Sequence, residues 1–312
     1  MVNADFLQSA LFRGAGFRHA FFSRQGGVSA GPFESLNFSV SVGDDPLKVE
    51  ENLRRAAQVL GVPRSALYFA SQVHGTHVEE VRGGERVVDV IQRQADALLS
   101  ATPGVACSVR SADCLPVLFA DPRSRTVAAA HAGWRGLVRG VLIETLKQLV
   151  QRGCRADEIL VAIGPHISVS AFEVSPEVAA EIQAAAPGKT VVSYDYGSRP
   201  HCDLRSVARA QLLTEGVVDA HVDDVLGCTM SDSAKFFSYR RDGKTSGRHL
   251  SSIVAGACRA RRPVLRTNRP FFDFVSRRSQ SLRSLGEQRI VTRAKYHAFP
   301  DHLPSLPGSF CH

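Results

Sequence analysis

A cysteine and two histidines stand at chemically suggestive positions in this sequence. Cys114 lies in SADCLPVLFAD, His131 in HAGWRG and His74 in SQVHGTHV, each where an apolar, strand-like run meets a turn. Sulfur and imidazole nitrogen are donors that zinc and other borderline metals prefer, and a catalytic zinc site has three protein ligands and one open position. Convergence of the three at one sheet edge would make such a site. The alternative is that they are buried polar side chains with hydrogen-bond partners, because their spacing lacks the short local pairing of a zinc finger.

The elements that must position these residues form a mixed pattern. The four short apolar segments ADALLS, GVACSVR, LPVLFA and TVAAAHAG predict successive strands, some of them antiparallel, and EILVAIGPHI predicts another. DPLKVEENLRRAAQVLGVP predicts a helix with Asp45 as N-cap that ends at Gly61. GLVRGVLIETLKQLVQRG and SPEVAAEIQAAAPG predict further helices, and FFSYRR a further strand. Strand clusters that alternate with a few helices favour an α+β fold over a doubly wound nucleotide-binding fold.

The distribution of charge restricts the classes of partner. The net charge is +8, but residues 261–312 hold ten basic and three acidic side chains and so carry nearly all of the excess. Residues 1–260 are therefore nearly neutral and lack the basic stripe of a nucleic-acid-binding domain. We expect a single domain over residues 1–260. Residues 261–312 are predicted to form a basic, weakly ordered extension with one short helix near 276–288.

Cysteine usage and hydropathy indicate a cytoplasmic protein. No run of eighteen apolar residues occurs, so no membrane span is predicted. The first residues carry an acid and several arginines, which is not typical of a signal peptide. The seven cysteines form no C-x-x-C pair and are expected to be reduced thiols. The sequence does not indicate an oligomeric state.

Several sequence blocks occur in an order that resembles one protein family. They are FSRQGGVS, LNFSVSVGDDPLKVEENLRRAAQVLG, QVHG, ADALLS, SADCLPVLFAD, HAGWRG, AIGPHIS with AFEVSPEV, and FFSYRRDGKTSGR. Together they are similar to the laccase-domain family, also called the polyphenol-oxidase or YfiH family of purine nucleoside phosphorylases. The resemblance covers roughly residues 15–260. It implies a four-layer α/β/β/α sandwich with mixed sheets, related to the catalytic domain of cytotoxic necrotizing factors.

The resemblance also implies a cofactor and an activity. The zinc ligands of the family carry over onto His74, Cys114 and His131, with Cys114 also the candidate catalytic residue. The implied reactions are phosphorolysis of adenosine, inosine, guanosine and methylthioadenosine, and hydrolytic deamination of adenosine. The partners are then a purine nucleoside and phosphate, with zinc as cofactor. A zinc-bound water with a lowered pKa would suit the deamination.

Arg24 and Asn37 are the predicted substrate-binding residues. Arg24 lies beside two glycines, where a guanidinium can hold an anion, although a surface ion pair is the alternative. Asn37 could contact ribose or close a turn. Asp113 is predicted to act structurally, since strand alternation points it away from Cys114. Other polar or aromatic residues are weaker candidates for the site or have an ordinary structural explanation: Trp134, Arg135, Arg240, Arg248, His77, His166, Cys107 and Cys228.

Three rival interpretations stay open at this point. A multicopper oxidase would need more clustered histidines than this sequence has. This sequence also contains only two methionines, Met1 and Met230, as possible axial copper ligands. A cysteine-dependent hydrolase would use Cys114 as nucleophile and a histidine as base. It would suit the peptidoglycan-precursor editing linked to the bacterial branch of the family. A partner-binding scaffold with a decayed site is the third.

Overall fold

The structure is a computed structural model that describes residues 4–186 and 188–256. The described residues belong to one compact unit. The predicted extension over 261–312, its short helix and the boundary at residue 260 lie outside them. The strands are β1 (Phe6–Leu7), β2 (His19–Phe22), β3 (Leu67–Tyr68), β4 (Val78–Glu80), β5 (Ala97–Ser100), β6 (Ala106–Ser111), β7 (Leu115–Ala120), β8 (Val127–Ala132), β9 (Leu160–Ile163), β10 (Val192–Ser193), β11 (His201–Cys202), β12 (Val222–Asp224) and β13 (His249–Val254). The helices are α1 (Ala10–Gly14), α2 (Pro46–Leu60), α3 (Val87–Ile91), α4 (Trp134–Val138), α5 (Val141–Gln151), α6 (Pro176–Ala184), α7 (Leu204–Thr214) and α8 (Tyr239–Asp242).

Two mixed sheets carry the site. Sheet I has the strand order β1-β2-β13-β6-β3, and sheet II has the order β12-β9-β7-β8-β5-β4. The pairs β3–β6, β4–β5 and β9–β12 are parallel and the other pairs are antiparallel. Strands β10 and β11 form a separate antiparallel pair. The predicted mixed α+β fold is therefore confirmed.

Three apolar clusters hold these elements together. The first contains side chains from both sheets, such as Phe21 and Val109 from sheet I and Leu118 from sheet II, so the two sheets bury one face against each other. The second joins the other face of sheet II to α4, α5, α6 and α7. The third joins the other face of sheet I to the apolar side of α2. Burial of both faces explains why the four inner strands of sheet II, β9, β7, β8 and β5, are apolar at nearly every position.

The best-predicted elements have strong local signals. Helix α2 begins after Asp45, whose side chain accepts a hydrogen bond from the Leu47 N–H, and ends at Gly61 with φ of 65°. Glycine adopts this left-handed conformation without the steric cost that a side chain imposes. The four consecutive strands predicted from apolar runs are β5 to β8, and all are confirmed.

Two predicted elements were wrong in part. The helix predicted across 136–153 is two helices, α4 and α5, because Gly140 takes φ of 88° between them. FFSYRR is not a strand: Phe236 and Phe237 are buried against the His249 ring, and the Ser238 side chain caps α8. The central strand β13 was not predicted. Within the described residues, no helix is long and apolar enough to cross a membrane.

Candidate metal centre and active-site cavity

The strand register brings Cys114 and His131 to one edge of sheet II. Leu115 pairs with Ala132 and Pro116 with His131, so Cys114, which directly precedes β7, lies beside the end of β8. His74 comes from the loop after β3 of sheet I. One donor atom from each of the three side chains can be chosen so that all lie within 4.8 Å of one another. The structure therefore brings together the three predicted ligands in a group that could hold a metal ion.

Asp96 organises this group, although its role was not predicted from the sequence. Its buried carboxylate accepts the Nδ1–H of His131 at 2.9 Å. It also accepts the backbone N–H groups of Val73, His74 and Gly75 at 3.1, 3.0 and 2.7 Å. The first bond leaves Nε2 of His131 as the metal-facing nitrogen, and the others hold the loop of His74, whose φ is 58°. The available signal was an acid directly before strand β5 at the same sheet edge.

Charge within the group favours a thiolate at Cys114. Burial alone would raise the pKa of the Cys114 thiol, but the charge of His131 and hydrogen bonds from His131 and His74 lower this pKa to about 6. Burial alone would lower the pKa of His131, but the negative charges of Cys114 and Asp96 raise it to about 9. A deprotonated sulfur is the form that binds a metal ion or attacks an electrophile.

Gly133 gives the group its compactness. A Cβ atom added at Gly133 would lie 2.4 Å from Cδ2 of His74 and 3.2 Å from the sulfur of Cys114. Its φ of −62° suits any residue, so the constraint is the space occupied by a side chain and not the backbone conformation. Gly133, the first glycine of HAGWRG, is thus required where the His74 ring packs over the start of α4.

The group opens into a cavity of about 820 Å³. The apolar part of its wall includes Trp134, Phe172 and Tyr239, and the cationic part includes Arg110 and Arg248. Phe172, Tyr239 and Arg110 were not foreseen, because the loop after β9, helix α8 and strand β6 that carry them are distant from one another in sequence. A cavity of this size is in the range that holds small-molecule ligands.

Comparison with known proteins identifies the family. Residues 18–256 match the family described as multi-copper polyphenol oxidoreductase laccase. The chain belongs to this laccase family. It is similar to a purine nucleoside phosphorylase of Pseudomonas aeruginosa, with 46% identity over 74% of this chain and 90% of the relative. Purine nucleoside phosphorylase YfiH of Escherichia coli is 41% identical over 74% of this chain and 90% of its own.

Solved structures support the same assignment. The crystal structure of YlmD from Geobacillus stearothermophilus superposes with a TM-score of 0.74 and 31% identity, covering 81% of this chain and 99% of that one. Within the described part of this laccase-family chain, His74, Cys114 and His131 are the one set of three or more His, Cys, Asp or Glu side chains close enough to share an ion. A multicopper centre would require several such sets of histidines.

Arg24 and Asn37 have structural partners, and neither is among the residues that line the cavity. The Arg24 guanidinium donates to the carbonyl oxygens of Glu34 at 2.8 Å and Ser233 at 2.9 Å. Asn37 is buried; its amide donates to the Asp44 carboxylate at 2.8 Å and accepts from the backbone N–H of Arg248, also at 2.8 Å. Contact of Arg24 and Asn37 with substrate stays a prediction.

Asp113 serves the cavity wall through its hydrogen bonds. Its carboxylate accepts the hydroxyl groups of Thr229 at 2.6 Å and Ser238 at 3.0 Å and the backbone N–H of Arg240 at 2.6 Å. It therefore ties the segment carrying Tyr239 to the loop beside Cys114. The structural role predicted for Asp113 agrees with these contacts. The reason given for it was wrong, because Asp113 lies in the turn between β6 and β7 with φ of 85° and lines the same cavity as Cys114.

The aromatic and arginine candidates of the laccase family blocks lie at the cavity. Trp134 lines it and also packs against the helical side of the core, and the Arg135 guanidinium lies 4.5 Å from the Trp134 ring centre. Arg240 and Arg248 line it as well. All four can therefore face a ligand.

The remaining candidates lie outside the metal group. His77 is exposed and lies 3.3 Å from a Glu79 oxygen. His166 is buried and its Nδ1–H donates to the Gly164 carbonyl at 2.8 Å. Cys107 belongs to the core between the sheets, and Cys228 accepts hydrogen bonds from Ser168.

Proposed function

We propose that this chain is a purine nucleoside phosphorylase, which cleaves the glycosidic bond of purine nucleosides with phosphate. The observation that carries the proposal is the single cavity that joins the His74–Cys114–His131 group to aromatic walls and arginine side chains. The names of the similar proteins from Pseudomonas aeruginosa and Escherichia coli support it. The proposed substrates are adenosine, inosine, guanosine and methylthioadenosine, with hydrolytic deamination of adenosine as a further reaction.

Zinc is the proposed cofactor, and the donor set fits it. Two imidazole nitrogens and one thiolate are typical zinc ligands, and three of them leave one coordination position. The hydrogen bond from His131 to Asp96 orients the ring as ligand histidines require. When bound, zinc would supply Lewis acidity and a positive charge beside the substrate.

The chain's own side chains would bind and orient the substrate. The faces of Trp134, Phe172 and Tyr239 offer apolar surface on which a purine can stack. The guanidinium groups at the cavity wall would hold anionic oxygens by charge-assisted hydrogen bonds. Partial enclosure by these groups limits the access of water, which favours transfer to phosphate over hydrolysis.

An assay on adenosine with and without phosphate tests the proposal. Purified protein loaded with zinc is incubated with adenosine, and adenine, hypoxanthine, inosine and ribose 1-phosphate are separated. We expect adenine and ribose 1-phosphate only when phosphate is present, and inosine in both reactions if deamination occurs. Cys114→Ala should abolish both reactions and remove zinc. The control is Ser231→Ala, which removes an exposed hydroxyl beside Cys228 and away from the cavity wall and should leave both reactions unchanged. Full activity in Cys114→Ala would contradict the assignment.

A cysteine hydrolase is the second candidate. Cys114, His131 and Asp96 are also arranged as a nucleophile, a base and an acid that orients the base. This arrangement would suit removal of a wrongly incorporated amino acid from a peptidoglycan precursor. Loss of activity in Cys114→Ala with zinc fully retained would favour it, as would inactivation by an alkylating agent at a rate that zinc does not change.

The proposal also covers the fold relationship, the cellular location and the bounds of the catalytic domain. The three apolar clusters support a four-layer α/β/β/α arrangement, and we extend this to a relationship with the catalytic domain of cytotoxic necrotizing factors. The five described cysteines are free thiols, which supports a cytoplasmic location. We keep a single catalytic domain over residues 1–260 as part of the proposal.

A further inference from the structure

Two arginines lie side by side on one face of sheet I. Arg110 is in β6 and pairs with Leu250 of β13, while the next pair is Ser111 with His249. Arg248 directly precedes β13 and is two residues from Leu250. Since side chains two residues apart point to the same face of a strand, Arg110 and Arg248 are diagonal neighbours on that face.

Neither arginine forms an ion pair with an Asp or Glu among residues 4–186 and 188–256. The Arg110 guanidinium stacks over the Phe69 ring, 4.5 Å from its centre. One nitrogen of Arg248 donates to the carbonyl oxygens of Ser246 at 2.7 Å and Gly247 at 3.0 Å. Both side chains line the cavity that contains the metal group, so they present positive charge to it.

Burial and the neighbouring charge of Arg248 both act on the pKa of Arg110. Burial first, and then the positive charge of Arg248, lower the pKa of Arg110 to about 10. Burial likewise lowers the pKa of Arg248, against the opposing charge of Cys114. Both guanidinium groups remain charged near neutral pH. Two neighbouring like charges in a half-buried wall are stabilised when an anion lies between them.

Amide side chains fix the backbone of each arginine. Gln72 donates to the Arg110 carbonyl at 2.7 Å and accepts its N–H at 2.8 Å. Asn37 accepts the N–H of Arg248, and the Arg248 carbonyl accepts the N–H of Phe38 at 3.0 Å. The pair is therefore held in place before any ligand binds, which lowers the entropic cost of binding.

We propose that Arg110 and Arg248 form the subsite for inorganic phosphate. The inference rests on the proposed function and assigns the phosphate to these two residues and not to Arg24. Guanidinium groups match phosphate oxygens in pairs, and two of them can hold a tetrahedral anion from two sides. In the reaction, a phosphate oxygen bonds to C1′ as the C1′–N9 bond breaks. The electron pair of that bond stays on the purine, which takes up the proton that the dihydrogen phosphate ion gives up.

Binding and kinetics of two variants test the subsite. Arg110→Gln and Arg248→Gln are compared with Arg54→Gln, which removes the same charge from an exposed ion pair on α2. Titration calorimetry measures inorganic phosphate binding to the zinc-loaded protein without nucleoside. We expect the Kd for phosphate to rise at least tenfold in both cavity variants and to stay within twofold of the parent in Arg54→Gln. The KM for phosphate should rise in parallel while the KM for inosine changes less than threefold.

Lysine variants keep the test valid if a glutamine variant does not fold. Arg110→Lys and Arg248→Lys keep the charge but lose the two-pronged geometry, so each should recover part of the phosphate affinity. Adenosine 5′-phosphate is titrated in parallel. Tighter binding of the nucleotide than of inorganic phosphate, lost in the same variants, would assign the pair to a nucleotide phosphate and overturn the proposal.

The outcomes separate the subsite from the proposed function. Phosphorolysis with an unchanged KM for phosphate in both glutamine variants overturns the subsite and leaves the phosphorylase function standing. Phosphate binding that is lost in these variants, in a protein without phosphorolysis, supports the anion subsite and contradicts the phosphorylase function.

Discussion

Replacement of Asp96 by Asn should impair both metal binding and folding. The Oδ1 atom of Asp96 accepts the Nδ1–H of His131 and the N–H of His74, and Oδ2 accepts the N–H of Val73 and Gly75. In Asp96→Asn one of these oxygens becomes an NH2 group, which is itself a donor. The His131 donor is buried and the three backbone donors are part-buried, and whichever orientation the amide takes, two of the four lose their acceptor.

The magnitude follows from those two donors. A buried donor without a partner costs about 1–3 kcal/mol, so the two together cost about 2–6 kcal/mol of unfolding free energy. For a domain of this size, each 1 kcal/mol lowers the Tm by roughly 2–4 °C, and we expect a fall of about 4 °C or more. The zinc affinity should fall by roughly 10–100-fold, because His131 loses the group that orients its ring.

Competition with a zinc-binding dye measures the affinity, and thermal unfolding of the metal-free protein measures the stability. Asp89→Asn is the matched control, since Asp89 is exposed in the first turn of α3. If Asp96→Asn binds zinc within threefold of the parent and melts within 1 °C of it, Asp96 does not organise the group and the reasoning is refuted.

Three further changes test other contacts. Gly133→Ala should push the His74 ring aside and so reduce the zinc content severalfold, as measured by metal analysis. Gly14→Ala is the control, because no atom lies within 4 Å of the added carbon. A normal zinc content in Gly133→Ala would contradict the packing argument. Burial lowers the pKa of His166 to about 4, so the stabilisation from its neutral form is complete above pH 6.5 and is lost as the pH falls towards 4. Between pH 6.5 and pH 4 the unfolding free energy of the parent should therefore fall by about 3 kcal/mol more than that of His166→Asn, as measured by urea titrations. An equal fall in both proteins would show that His166 is not the source of this pH dependence. Asp113→Ala should raise the KM for nucleoside about tenfold with zinc retained, because the segment of Tyr239 is released; Asp195→Ala is its surface control, and an unchanged KM would exclude the role.

The sequence by itself determined the helices and strands whose ends are marked by capping residues or turn formers. Helix α2 could be predicted because Asp45 and Gly61 satisfy its terminal backbone groups, whatever the rest of the chain does. The strands β5 to β8 could be predicted because apolar runs of four to six residues are separated by turn formers. The donor atoms of the metal group could be proposed from their chemical type and their positions at strand ends, and the family resemblance selected the same three residues.

Tertiary structure decided which of these residues act together. His131 meets Asp96 because β5 and β8 pair in one register, and Arg110 meets Arg248 because β6 and β13 pair across more than a hundred residues of sequence. Local periodicity specifies which face a side chain takes but not which strand lies beside it. Burial of both faces of each sheet then fixes the two registers. Together they place the Asp96 carboxylate behind the metal group and the thiol and the cations around one cavity.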